Sequence, residues 1–429
     1  MQIIRFPDFS NAAILLARPP ADTLGRQAQV AGMLAAVKAE GDAAVRRFAA
    51  QFDGAAPAAF EVPASDFEQA ERALPESLKN AIRQAYSNIK TFHATQQEQP
   101  QIVETMPGVR CWRKSVPIER IGLYIPGGSA PLFSTVLMLG VPAQIAGCAD
   151  IILCTPPGPD GMVNPAILFA AQCCGIRRVF KIGGVQAIGA MAYGTESVPQ
   201  VWKIFGPGNP WVTTAKQLIS LEGTAIDLPA GPSEVAVLAD AGANPAFVAA
   251  DLLSQAEHGA DSQVLLVTDA PDLIPVVQAA LEAQLAELPR RDIAALALVH
   301  SRVLLVSNLA EGMRWINAYA PEHLILQVND YESVASKVIN AGSVFMGPYT
   351  PESAGDYASG TNHTLPTGGY ARAYGGVSLD SFVKKITFQQ ISQHGLQNLG
   401  PVVTEMAEAE GLRAHAQAVR VRLNSTLSH

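Results

Sequence analysis

The stretch "RIGLYIPGGSAPLFSTVLMLGVPAQIAGCADIILCTPP" (residues 120–157) decides the fold. Its ends, "RIGLYIP" and "DIILCTPP", are apolar runs of strand length closed by proline, and "FSTVLMLGVPAQIAG" between them is a helical stretch. Outward from it the alternation continues. Candidate strands are "RVFKIGG", "VWKIFGPG", "EVAVLAD", "QVLLVTD" and "HLILQV", with helices such as "NPAILFAAQCCG" and "WVTTAKQLIS" between strands. Short apolar strands separated by helices predict a largely parallel sheet covered on both faces. Asn164-Pro165 and Asn244-Pro245 each supply a capping residue followed by proline at the first helical position. The first 100 residues read as mainly helical, with polar loops such as "QFDGAAPAAF". After about residue 377 the chain is expected to return to helices, ending in "VTEMAEAEGLRAHAQAVRVRL".

With 429 residues, 48% of them hydrophobic and 16% charged, the chain can bury a sizeable core and has the length of two or three domains. A formal net charge of −8 without a basic patch argues against nucleic acid as a partner. No apolar stretch of about 18 residues runs free of Gly, Pro or charge, so no membrane span is expected. The opening "MQIIRFPDFSNAAILLARPP" has no basic region ahead of its apolar part and reads as a docking arm, not a signal peptide. Five cysteines without framework spacing fit a reducing cytoplasm. Cys148, Cys154, Cys173 and Cys174 sit in apolar runs and read as small buried hydrophobes, and no C-x-x-C motif offers a thiolate zinc site.

Four of the eight histidines stand beside acids, amides or glycine turns, in "SQAEHGAD", "APEHL", "SAGDYASGTNH" and "EAEGLRAHA". Singly, each reads as an ordinary core or surface residue; together they point to one shared polar site. Gln255 and His258, three residues apart at a helix end, supply an oxygen and a nitrogen on one face, although Gln255 alone would read as a helix cap. Asp356 could add a carboxylate and His415 a second imidazole. A mixed nitrogen and oxygen set without thiolate suits zinc, and less specifically manganese or cobalt. Adjacent Glu322 and His323 are both proton-transfer types, with an ordinary turn before a strand as the plain alternative. The glycine turns "YIPGGSAP" (124–131) and "IFGPGNPW" (204–211) follow strands and precede helices, where backbone N–H groups receive phosphate oxygens. Neither fits the dinucleotide fingerprint or the phosphate loop, and neither a G-x-S-x-G nor an H-E-x-x-H motif occurs.

The segments "IPGGSAPLFSTVLMLGVPA", "KIGGVQAIGAMAYGTESVP", "IFGPGN", "DLPAGPSEV", "DLLSQAEHG", "APEHL", "GPYTPESAGDYASGTNHTLPT" and "AEAEGLRAHAQAV" run in this order between about residues 105 and 423. In that order they resemble the histidinol dehydrogenase family. The resemblance implies oxidation of L-histidinol to L-histidine through bound L-histidinaldehyde with two NAD+, the final steps of histidine biosynthesis. It implies one zinc per subunit on Gln255, His258, Asp356 and His415, which with His323 also meet substrate. Proton transfer falls to Glu322 and His323, further substrate contacts to Ser233, His363 and Glu410, and NAD contacts to Tyr124, Gln186 and Asn209. Val185 and Trp202 are minor departures near the cofactor segment.

The implied fold is α/β, with two incomplete Rossmann-like domains of mainly parallel sheet and small terminal helical segments used in dimerisation. The expected layout is an N-terminal arm at 1–20, a larger domain at 21–123 and 233–377, an NAD-contacting domain at 124–232, and a dimerisation segment at 378–429. The expected partner is a second copy, each chain lending Glu410 and His415 to its neighbour's active site. Two other readings are a paralogous zinc- and NAD-dependent dehydrogenase of another small polar alcohol, and a non-catalytic metal-binding homologue. Retention of Ser233, His363 and Glu410 favours histidinol over the first, and intact Glu322 and His323 speak against the second.

Overall fold

The computed structural model describes residues 1–19, 24–52, 57–127, 131–229 and 231–425. Residue 20 of the expected arm, 128–130 of the first glycine turn and 426–429 of the expected dimerisation segment lie outside the described residues. The strands in chain order are β1 (Gln2–Arg5), β2 (Val103–Met106), β3 (Val109–Pro117), β4 (Arg120–Tyr124), β5 (Asp150–Thr155), β6 (Arg178–Lys181), β7 (Lys203–Phe205), β8 (Ala225–Ile226), β9 (Glu234–Ala239), β10 (Gln263–Thr268), β11 (Arg302–Leu305), β12 (His323–Gln327), β13 (Ser343–Met346) and β14 (Val383–Ile391).

One compact unit comprises Met1–Gln96 and Ile118–Phe382 and contains two parallel sheets. The first has five strands in the order β6-β5-β4-β7-β8, and the second six in the order β1-β11-β10-β9-β12-β13. In both, successive strands step outward on one side of a first strand and then resume on its other side, the winding of a nucleotide-binding half-fold. The inner strands β9, β10 and β12 are buried at every residue, as continuous apolar runs in a doubly covered sheet should be. Alternation still sorts their side chains. Val235, Val237 and Ile325 enter one core, which includes the helix Pro245–Ala256, while Ala236, Leu238, Leu324 and Leu326 enter the opposite one. Both helix starts read from Asn-Pro pairs are present: Asn164 accepts from the Ala166 N–H and Asn244 from the Ala246 N–H, each at 2.9 Å. No described helix is long and apolar enough to cross a membrane.

The second compact unit comprises Gln97–Pro117 and Val383–His429. Here the expectation of helices alone after residue 377 is corrected. The run "VKKITFQQI" forms β14, which pairs antiparallel with β3 from Val383↔Pro117 to Ile391↔Val109. Its β-branched and aromatic residues suit a pleated surface, and Phe388 stacks on Trp112 across the ladder at 5.5 Å. Strands β2 and β3, expected within residues 21–123, belong to this unit, as do the helices Gln393–Ala409 and Arg413–Leu423.

Candidate active site

The chain turn that aims Glu322 and His323 is tightly specified. The helix Leu309–Tyr319 stops at Ala320, which adopts φ 53°, a left-handed conformation unusual for a residue with a side chain. Pro321 follows, its carbonyl accepting from the Gly342 N–H at 2.9 Å, while the Glu322 carbonyl accepts from the Ser343 N–H at 2.9 Å. Gly342 cannot carry a side chain there, because a Cβ would come within 2.5 Å of the Glu322 oxygen. His323 then opens β12 and, by alternation, shares the face of Ile325 towards the helix Pro245–Ala256.

Glu322 and His323 are both buried, and both are held by one backbone residue of the neighbouring strand. The Glu234 N–H donates to Glu322 Oε2 at 3.0 Å, and the Glu234 carbonyl lies 3.3 Å from His323 Nδ1. A carbonyl can only accept, so in the neutral ring the proton sits on Nδ1 and Nε2 is the nitrogen able to act as a base. That Nε2 is buried, makes no hydrogen bond among the described residues, and lies 3.7 Å from Asp356 Oδ1. Because β9 and β12 begin here, the pair sits at the amino edge of the larger sheet, not the carboxyl edge where open α/β sheets usually keep ligands.

His258, Glu352 and Asp356 bring one ligand atom each within 4.8 Å of one another. Glu352 and Asp356 lie one turn apart on the short helix Glu352–Tyr357, hence on one face. Gln255 is fully buried in the last turn of its helix. That helix ends at Ala256, so His258 lies in the turn beyond it and not on the helix as expected; its N–H still donates to the Gln255 carbonyl at 3.3 Å, continuing the winding. The Gln255 amide lies against the Glu352 carboxylate. With its nitrogen turned that way it donates to Oε2 at 3.2 Å and also to Oε1. With its oxygen turned that way two acceptors face each other, an arrangement that a shared cation relieves. Ser254 Oγ donates to Glu352 Oε2 at 3.0 Å. The donor set is nitrogen and oxygen, without sulfur, which fits zinc.

The electrostatics follow from crowding. Burial pushes the Glu322 carboxyl up to about 8, against the lowering pull of His323 and of the Glu234 N–H. Burial also raises Glu352. Burial alone would lower His323, but Glu322, Glu352 and Asp356 outweigh it and raise the imidazole to about 10. Burial would raise Asp356, yet the His323 ring close beside it, with His363 and His258, holds it below the usual carboxylate range. Burial thus pushes two carboxyls towards the neutral form while the carboxylates push the imidazole towards the charged form, and a cation among them would favour ionised carboxylates beside a neutral imidazole.

His363 is pinned between Asp356 and the helix Phe133–Ala146, its Nδ1 2.8 Å from the Asp356 carbonyl and its Nε2 3.1 Å from Thr135 Oγ1. Ser233 immediately precedes β9 and is half-buried. Glu410 and His415 belong to the second unit, at the end of the helix Gln393–Ala409 and in the first turn of Arg413–Leu423, and both are exposed. Glu352, Glu234 and Thr135 were not among the expected site residues, although the i, i+4 acidic pair in "ESAGD" was a readable sign of Glu352.

A separate cleft of 1420 Å³ opens at the carboxyl ends of the five-stranded sheet, and Tyr124, Gln186 and Asn209 all line it. Tyr124 ends β4, and its hydroxyl accepts from the Gly184 N–H at 3.0 Å. Asn209 follows β7 and caps the helix Pro210–Ser220, accepting from the Trp211 and Val212 N–H groups at 3.0 and 3.1 Å. β4 and β7 are neighbours on either side of the point where the winding reverses, the usual nucleotide position in such sheets.

The family model described as histidinol dehydrogenase matches residues 16–423. The chain is 58% identical to the histidinol dehydrogenase of Bacteroides thetaiotaomicron over 425 residues, covering 99% of each, and 53% identical to that of Xanthomonas axonopodis pv. citri over 427 residues, again covering 99% of each. The crystal structure of histidinol dehydrogenase from Elizabethkingia anophelis superposes with a TM-score of 0.97 at 52% identity, covering 100% of this chain and 99% of that one. Fold and relatives together define an NAD-dependent oxidoreductase. The chain belongs to the histidinol dehydrogenase family.

Proposed function

We propose that this chain oxidises L-histidinol to L-histidine in two successive steps, through L-histidinaldehyde that stays bound, with two NAD+ and one zinc per subunit, as the end of histidine biosynthesis in the cytoplasm. The observation that carries the reading is the buried Glu322–His323 pair, held by Glu234 and set beside the metal-capable group of His258, Glu352 and Asp356. Zinc on Gln255, His258, Asp356 and His415 of the partner subunit supplies a template for the substrate's nitrogens and a positive charge that offsets the carboxylates around His323. NAD+ on Tyr124, Gln186 and Asn209 supplies the hydride acceptor, in a cleft of suitable size and position.

In the first step His323 Nε2 takes the hydroxyl proton as hydride leaves the carbon, giving the aldehyde. Glu322 then draws a proton from water as it adds to the aldehyde carbon, a second hydride leaves from the resulting hydrate for the second NAD+, and the acid so formed loses its proton to solvent to give the carboxylate. Ser233, His363 and Glu410 of the partner subunit orient the substrate. Cys154 and Cys174 are buried with thiols raised by burial, so a thioester route through them has no support. The domain roles we propose are metal and proton chemistry in 233–377, cofactor binding in 124–232, and dimerisation through the second unit, 97–117 and 383–429; the segment 1–20, expected as a docking arm, instead adds β1 to its own chain's six-stranded sheet. Exposed apolar residues of the second unit, among them Ile386, Phe388, Val402 and Met406, support a covered surface there. The test is NADH formation by zinc-loaded protein with L-histidinol and NAD+, against other small polar alcohols. Absence of NADH with zinc occupancy verified would refute the reading, and a faster reaction with another alcohol would favour the paralogue.

A further inference from the structure

Glu234 is almost fully buried, with its side chain at 2% exposure, and it is ionically paired across 216 residues of sequence. Arg18 forks onto it, Nε to Oε2 at 2.5 Å and Nη2 to Oε1 at 2.8 Å. The same guanidinium donates to the Tyr319 carbonyl at 2.9 Å and lies 4.3 Å from the centre of the Tyr319 ring. The Tyr319 hydroxyl donates to Gln263 Oε1 at 2.9 Å and lies 3.3 Å from Glu234 Oε2. Gln263 Nε2 in turn donates to the Ala17 carbonyl at 3.1 Å, closing the ring back onto the segment that carries Arg18.

A buried ion pair is a costly way to join two strands and a helix, and well-packed apolar residues would serve stability as well or better. What distinguishes this one is where its backbone points. The N–H of Glu234 holds the Glu322 carboxylate and its carbonyl holds His323 Nδ1, so the residue clamped by Arg18 is hydrogen-bonded through its backbone to both. A shift of Glu234 would move both partners at once, and displacements of about 1 Å cost roughly 10²-fold in rate. We propose that Arg18 and Glu234 form a positioning lock for the reaction: Arg18, from the N-terminal segment, fixes Glu234 so that its backbone holds Glu322 and His323 in register. Neither is a catalytic residue. The proposal rests on the proton-transfer roles of Glu322 and His323.

Two variants test it in the zinc-loaded enzyme. R18K keeps the charge but loses the planar fork, and is expected to lower kcat for L-histidinol about 3- to 10-fold. R18M/E234M removes both charges together, avoiding an unpaired buried carboxylate, and is expected to lower kcat about 10- to 100-fold. In both, KM for L-histidinol and the zinc dissociation constant should stay within about 3-fold, because the lock acts on the proton-transfer pair. The decisive readout is a cycle with H323N. In that background R18M/E234M should cost less than about 3-fold, since the group it positions is gone. Wild-type kcat in both variants, the same fold loss with and without His323, or a loss carried by zinc affinity would each overturn the lock. If R18M/E234M does not fold, R18K run through the same cycle decides by the same criteria. Failure of the underlying reading looks different: E322Q and H323N would then be unimpaired, and the lock would fall with them.

Discussion

Asp251 is a buried acid with no cation paired to it among the described residues, and replacing it by asparagine should stabilise the protein at neutral and alkaline pH. It lies at 6% exposure one turn before Gln255, and its Oδ2 accepts only a long 3.4 Å hydrogen bond from Gln327 Nε2. Burial raises its carboxyl from 3.8 to about 6, with the Gln327 contact pulling weakly the other way. The folded state therefore holds the proton more tightly than the unfolded chain, so this group costs stability as pH rises from the unfolded value to the folded one. About two pKa units at 1.36 kcal/mol each give a cost of roughly 3 kcal/mol, complete above pH 6 and absent well below 3.8. An asparagine side chain in its place would keep the shape and the acceptor oxygen without the charge. Thermal melting of wild type and D251N at pH 8 and at pH 5 measures this, with an expected rise of several degrees at pH 8 that shrinks at pH 5. A variant that melts lower than wild type at pH 8, or a difference independent of pH, would refute the reasoning and mean that the carboxylate is charged and well paired.

The division of labour between the proton-transfer residues predicts that E322Q slows oxidation of L-histidinaldehyde more than that of L-histidinol, while H323N lowers the alcohol step by roughly 10²- to 10⁴-fold; equal damage to both half-reactions from each variant would contradict it. Chelation of zinc should abolish turnover while leaving the circular dichroism largely intact, because the proposed ligands lie at the ends of helices and loops. Zinc affinity should also fall as pH drops through the histidine range, since the ligands must be deprotonated, and turnover that survives verified metal removal would refute the template role. Sharing of the site between subunits predicts that mixing inactive H258A and H415A chains under exchange restores about half the wild-type activity per heterodimer, because one pocket takes both lesions and the other neither. No recovery, with heterodimers confirmed, would place His415 in its own chain's site.

The inner strands were legible because burial on both faces leaves no polar residue to interrupt them, as in "EVAVLAD" and "QVLLVTD". The short strands β1, β11 and β13 were not picked out, whereas β6 and β7, no longer than these, were legible because a glycine turn closes each. β14 was lost for a different reason: exposed along most of its length, it carries lysine and glutamine where a core strand would be apolar. In the site, residue types next to one another in sequence were readable, Glu322 with His323 above all. Glu234 was not, because its role rests on a backbone N–H and carbonyl that any residue has, and on an arginine 216 positions away.

The most direct test of the proposed reaction is its stoichiometry. With L-histidinol limiting and NAD+ in excess, zinc-loaded protein should produce two NADH for each histidinol consumed, with L-histidine as the product and little aldehyde trapped by a scavenger in solution. One NADH per histidinol, with aldehyde accumulating in solution, would contradict two oxidations at one site.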